Sequence, residues 1–170
     1  IRAAGANRFV SDLAEGNLYQ ARLQWDKAVA AFERAAALNP DAPEPTFALV
    51  RIDARQGKLA QAQNRLISLI AKNSQHQFAH GLLGEILILK GDPVRAEEEF
   101  RLATALKPDW STPWVNWVTL KLSQRKHEEA GEILRRGGQP AQEGDGDLPF
   151  ARHGRRTAGH DGRADDRTRL

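Results

Sequence analysis

Between Phe78 and Lys90 apolar side chains return every three or four positions and stop at Gly91, which predicts an amphipathic helix closed by a residue free to turn left-handed. Asp92 can cap the next helix, and Pro93 suits its first position, where no N–H is needed. Val94, Ala96, Phe100, Ala103 and Leu106 then recur at helical spacing, with Arg95, Glu97, Glu98 and Arg101 on the other face, until Pro108 ends the run. The local unit is a pair of short helices joined by a tight turn.

That unit recurs. Gly16, Tyr19, Ala28, Phe32, Ala35 and Pro40 reappear 68 residues later as Gly84, Leu87, Ala96, Phe100, Ala103 and Pro108, or two periods of 34. A middle copy falls on Val50, Asp53, Ala62, Leu66, Leu69 and Ser74, and a fourth begins with Val118, Lys121, Ala130 and Leu134 before reaching Gly137. A single hairpin leaves its apolar face in water, so stability must come from stacking, each buried Leu or Phe contributing roughly 1.5–3 kcal/mol. Ala96 and Ala103 are read as small so that two helix backbones can approach, and Phe100 as filling the gap between neighbouring units.

The spacing of these residues resembles the tetratricopeptide repeat, whose 34-residue signature sets a small residue and an aromatic on the first helix, then Ala, Phe or Tyr, Ala and a closing Pro on the second. The resemblance covers about residues 9–136. It implies an all-α fold, a right-handed α-solenoid of antiparallel helix pairs, with units at about 9–42, 43–76, 77–110 and an incomplete 111–136. Residues 1–8 form an N-terminal flank. Asp12, Asp53, Lys121 and Ser74 depart from the signature.

The resemblance also implies a concave groove lined by first helices. Its slots hold Leu13, Asn17 and Gln20, then Phe47, Arg51 and Arg55, then Phe78, Glu85 and Ile88, then Val115 and Thr119. This mixture suits an extended peptide or a partner helix, with Phe47 and Phe78 as anchors and Arg51, Arg55 and Glu85 setting polarity. Of the clamp with which the family grips chaperone C-termini only Asn17 is matched; Leu13, Ala48, Phe78 and Leu82 fill the other slots. The Ala- and Leu-rich units, with the turn Leu38-Asn39-Pro40-Asp41, are similar to bacterial arrays accompanying exopolysaccharide export and surface-protein sorting.

Composition narrows the setting. The 170 residues are 41% hydrophobic and 28% charged, the balance of a globular protein of about one domain. No apolar run approaches the roughly 20 residues of a spanning helix, so the chain reads as soluble, in cytoplasm or periplasm alike. Cysteine is absent, which removes disulfides, thiol nucleophiles and thiolate metal sites. The net charge of +3 is the remainder of 25 basic and 22 acidic residues mixed along the chain, no footprint for nucleic acid. The opening on Ile1 reads as a processed product or a fragment. From Gly137 to Leu170 glycines recur and Leu148, Phe150 and Leu170 are the only large apolar residues, so 137–170 is expected to be disordered or out of frame.

Chemical candidates are few. His76 and His80 stand four apart as two metal ligands would, yet His76 falls in a turn, His80 takes the slot of Trp114, and no third ligand accompanies them. Glu97, Glu98 and Glu99 point in different directions on a helix and read as a solvated face. Gly81 and Gly84 sit inside a helix and are expected to admit a close neighbour. Trp110, Trp114 and Trp117 share a helical face and read as packing between the third and fourth units, and Trp25 as structural. No catalytic, metal or cofactor residue is assigned. The expected function is a non-enzymatic scaffold for a protein or peptide, with the repeat segment of a larger glycosyl- or sulfotransferase as the alternative.

Overall fold

A computed structural model describes residues 2–137 of the chain, with side chains from Ala6 onward. These residues form eight helices: α1 Arg2–Ala21, α2 Trp25–Leu38, α3 Pro43–Arg55, α4 Leu59–Lys72, α5 Gln77–Leu89, α6 Pro93–Leu106, α7 Ser111–Ser123 and α8 His127–Gly137. Each packs on the next, so the helices form stacked hairpins and the described part of the chain is all-α. α1 begins at Arg2, upstream of residue 9 where the first unit was expected to start. The expectation of a disordered or out-of-frame tail over 137–170 is corrected at Gly137, which closes α8, and otherwise lies outside the described residues.

The hairpin turns repeat in detail. Gln24, Lys58, Asp92 and Lys126 donate their backbone N–H to the carbonyls of Tyr19, Asp53, Leu87 and Lys121 at 2.8–3.0 Å. This is the six-to-one bond of the Schellman motif, which needs a left-handed residue just before the donor. Those residues are Leu23, Gly57, Gly91 and Arg125, with φ between 58° and 78° and each 34 positions beyond the last. Two lack glycine's freedom. A left-handed L-residue costs about 1–2 kcal/mol, part of which glycine returns through its freer unfolded state. Leu23→Gly and Arg125→Gly should therefore each stabilise the fold by about 0.5–1 kcal/mol. A fall in the urea midpoint of either variant would show that the side chain, not the backbone, governs the turn.

At the start of α6 the expected cap is present, the Asp92 carboxylate accepting from the Arg95 backbone N–H at 3.2 Å, with Pro93 in the first turn. Second helices end alike. Asn39, Asn73 and Lys107 are the residues just beyond α2, α4 and α6, and each donates its backbone N–H back to the carbonyl four residues earlier.

The glycines inside helices mark where the second helix presses on the first. A Cβ on Gly84 would lie 2.5 Å from Phe100 Cε1, and one on Gly16 would lie 2.6 Å from Phe32 Cε1. In the middle unit the corresponding pair is Val50 and Leu66, both in the core. A larger residue on the first helix thus accompanies a smaller one on the second, keeping the volume of the contact. Phe100 thus packs on its own hairpin and also belongs to a core shared with Trp117 and Val118 of the next unit. The next unit still shields this position from water: Phe32, Leu66 and Phe100 are 0%, 0% and 1% exposed, whereas Leu134, with no described helix after it, is 61% exposed.

Candidate functional site

Each hairpin carries a polar group buried on its first helix and paired with its second. Asp12 meets Arg34 Nε at 2.8 Å, Asp53 meets Arg65 Nε at 2.9 Å, His80 meets Glu99 at 2.6 Å, and Lys121 meets Glu129 at 2.6 Å. Asp12, Asp53, His80 and Lys121 are all buried. Three of the departures from the repeat signature, Asp12, Asp53 and Lys121, are therefore internal ion pairs. Between units, Lys121 also meets Glu97 at 2.6 Å, the Trp117 indole N–H donates to the same carboxylate at 3.2 Å, and Lys90 donates to Gln63. The reading of Glu97, Glu98 and Glu99 as a solvated face is corrected. Glu97 and Glu99 turn inward to Lys121 and His80, and of the three only Glu98 stays exposed.

The two histidines do not converge. His76 is wedged edge-on between Phe47 and Phe78, at centroid distances of 5.3 and 6.3 Å. Burial lowers its pKa, and its Nδ1 is buried without a hydrogen-bond partner among the described residues. His80 faces Glu99 through Nδ1 and the Ser74 carbonyl, 3.0 Å away, through Nε2. A carbonyl only accepts, so Nε2 carries a hydrogen, and a doubly protonated ring satisfies both neighbours. Burial opposes that charge, but the hydrogen bonds to Glu99 and to the Ser74 carbonyl outweigh it and raise the pKa above its ordinary 6.5.

A folded-state pKa above the unfolded one stabilises fully below the unfolded value and fades as pH rises through the folded value. Relative to His80→Gln, the native chain should lose urea resistance from about pH 6.5 upward. Parallel stability profiles from mildly acidic to mildly alkaline pH would contradict a charged His80. Among the described residues no group of three His, Cys, Asp or Glu side chains is placed to hold a metal ion.

Trp114 and Trp117 lie on α7, whereas Trp110 precedes it in an extended conformation, which corrects the expectation that all three share a helical face. Trp110 covers Gly81, where a Cβ would lie 2.5 Å from the indole. Trp114 stacks on Trp117 at 6.0 Å, donates its N–H to the Pro108 carbonyl at 2.9 Å and abuts Gly137. Trp110 also meets Phe78 at 4.8 Å, so Phe47, His76, Phe78 and Trp110 form a continuous line of rings near the start of α3, α5 and α7.

The first helices α5 and α7 lie side by side, and Asn116 of α7 donates to Glu85 of α5 at 3.0 Å. Of the groove residues expected from sequence, Asn17, Arg51, Arg55, Phe78, Ile88, Val115 and Thr119 are exposed; Leu13, Gln20, Phe47 and Glu85 are half-buried. Leu13 and Phe47 pack against the core, and Gln20 has its carbonyl oxygen buried without a partner among the described residues. Glu85 is held by Asn116, and burial raises its carboxyl pKa against that hydrogen bond. Leu89 and Leu122, exposed beside Ile88, were missed in the sequence reading. They stand at the slots of Arg55 and of Ile88 in neighbouring units, so the interval of 34 would have found them.

On the other side a shallow cleft lies among Ala36, Thr46, Leu49, Gln61, Asn64, Arg65 and Ser68. Its one charged group, Arg65, is engaged by Asp53 and Glu33, leaving no acid–base pair there. No helix among the described residues is long and apolar enough to cross a membrane.

Comparison with known proteins agrees with this geometry. Residues 13–86 match the tetratricopeptide repeat family. No curated protein sequence matches the chain. Among solved structures, a MamA protein is similar at a TM-score of 0.66 and 18% identity, covering 79% of each chain. MamA from residue 41 of Desulfovibrio magneticus RS-1 is similar at 0.63 and 16%, covering 74% of this chain and 71% of that one. A thermophilic tetratricopeptide-repeat protein of Thermus thermophilus is similar at 0.63 and 21%, covering 76% and 72%. At these identities the likeness is one of fold.

Proposed function

We propose that this tetratricopeptide-repeat chain is a non-enzymatic scaffold that receives a peptide or helix of another protein on the face of its first helices, taken as the concave side of units 9–42, 43–76, 77–110 and 111–136. One contrast carries the reading. Asp12, Asp53, His80, Glu97 and Lys121 are engaged in structural pairs, while the first-helix face presents exposed arginines beside exposed aliphatic side chains. Such a surface binds and does not transform. The repeat match over residues 13–86 supports the same class. A role beside exopolysaccharide export or surface-protein sorting rests on the Ala- and Leu-rich units and the Leu38-Asn39-Pro40-Asp41 turn.

A photo-crosslinking amino acid placed at Thr119, on the first-helix face, should yield discrete protein adducts in cells, and one at Ser68, in the opposite cleft, should not. Adducts from position 68 alone would move the binding surface to the second helices and overturn the assignment.

A further inference from the structure

The first-helix face is not uniform. On α3, Arg51 and Arg55 are exposed, stand one turn apart and make no ion pair among the described residues. Two carboxylates related to them by sequence or slot are committed elsewhere: Asp53, between them in sequence, is buried on Arg65, and Glu85, at the slot of Arg51 one unit on, is held by Asn116. On α5 and α7 the same face turns aliphatic, with Ile88 40%, Leu89 60%, Leu122 48% and Val115 59% exposed. Exposed aliphatic residues occur elsewhere on the chain as well, among them Val94 and Leu134, but here four of them fall on two helices in contact, next to the exposed arginine pair. Neighbouring packed helices stand about 8–10 Å apart, which an extended chain crosses in about three residues.

We propose that this face takes an extended peptide segment in which an acidic side chain, paired with Arg51 and Arg55, stands about three residues from a large aliphatic side chain that covers Ile88 and Leu89 and about six from one that covers Leu122 and Val115. The inference rests on the scaffold reading and adds the chemistry of the partner. Charge complementarity selects the acid: a basic segment is repelled by the two guanidinium groups, and a neutral one leaves them without a counter-charge. The segment need not end there. The family's clamp for a chain-terminal carboxylate is not matched at Leu13, Ala48, Phe78 and Leu82, so the acid is assigned to Arg51 and Arg55 alone.

The test is selection of a random twelve-residue peptide library on the intact chain, on Arg51→Glu/Arg55→Glu and on Leu89→Ser/Leu122→Ser, all exposed substitutions whose folding is checked by thermal melting. The native chain should enrich peptides with an acid about three positions from Leu, Ile or Phe. The arginine double variant should bind those peptides at least about tenfold more weakly and select a basic residue in place of the acid. Enrichment of aliphatic peptides with no acid preference, lost on Leu89→Ser/Leu122→Ser, would overturn the acidic partner and leave the scaffold face standing. Peptides that bind all three proteins equally, or no enrichment at all, would overturn both.

Discussion

Phe100→Ala is expected to cost roughly 3–5 kcal/mol, through lost burial and the cavity left behind. The ring is 1% exposed and rests on Gly84, which has no side chain to fill the space. In a domain of this size such a loss lowers the melting midpoint by roughly ten degrees or more. Gly84→Ala attacks the contact from the other side: its Cβ would fall 2.5 Å from the ring, and overpacking of this kind costs about 1–3 kcal/mol.

The combination Gly84→Val/Phe100→Leu recreates the Val50 and Leu66 pair that the second unit carries at the same positions. It should be more stable than the sum of its single changes by about 0.5–3 kcal/mol in a double-mutant cycle. Strict additivity would mean that the two positions do not share one volume.

Lys121→Glu is expected to be comparably damaging, by about 3–5 kcal/mol, because it buries a third carboxylate beside two others. Lys121 is 3% exposed, and its ammonium lies 2.6 Å from both Glu97 and Glu129, joining α6, α7 and α8 at one point. Burial alone would lower its pKa, but hydrogen bonds to Glu129 and Glu97 raise it, so the amine stays charged. Lys121→Met should cost much less, about 1 kcal/mol, since the chain keeps its apolar volume and both glutamates retain access to water. Equal losses from Glu and Met, read from urea midpoints, would show that length and packing matter there and charge does not.

The fold was legible in sequence because its signals repeat at one interval. The aromatic or Leu at 32, 66, 100 and 134 keeps a spacing of 34, and local turn and capping chemistry at Gly91, Asp92 and Pro93 agrees with it, whereas the left-handed turns at Leu23 and Arg125 carry no signal in their residue type. The internal ion pairs were not legible for the complementary reason. Asp12–Arg34, Asp53–Arg65, His80–Glu99 and Lys121–Glu129 span different sequence separations, so no period reveals them, and a buried Asp looks in sequence like a fault in the pattern. Glu97 and Glu99 face inward because the helix meets a second hairpin on one side and its own first helix on the other, a geometry a single helical wheel does not contain. On the open face, sequence placed Arg51, Arg55, Ile88 and Val115 in an apolar and charged mixture, while the division into a cationic unit and an aliphatic pair of units emerged only with the exposure of Leu89 and Leu122.

The location of partner binding is tested most directly by backbone amide chemical shifts of the intact chain titrated with the most enriched library peptide. Shifts gathered on α3, α5 and α7, strongest around Arg51, Arg55, Leu89 and Leu122, are the predicted result. Shifts gathered around Ala36, Thr46, Gln61, Asn64 and Ser68, with Arg51, Arg55, Leu89 and Leu122 unmoved, would contradict it.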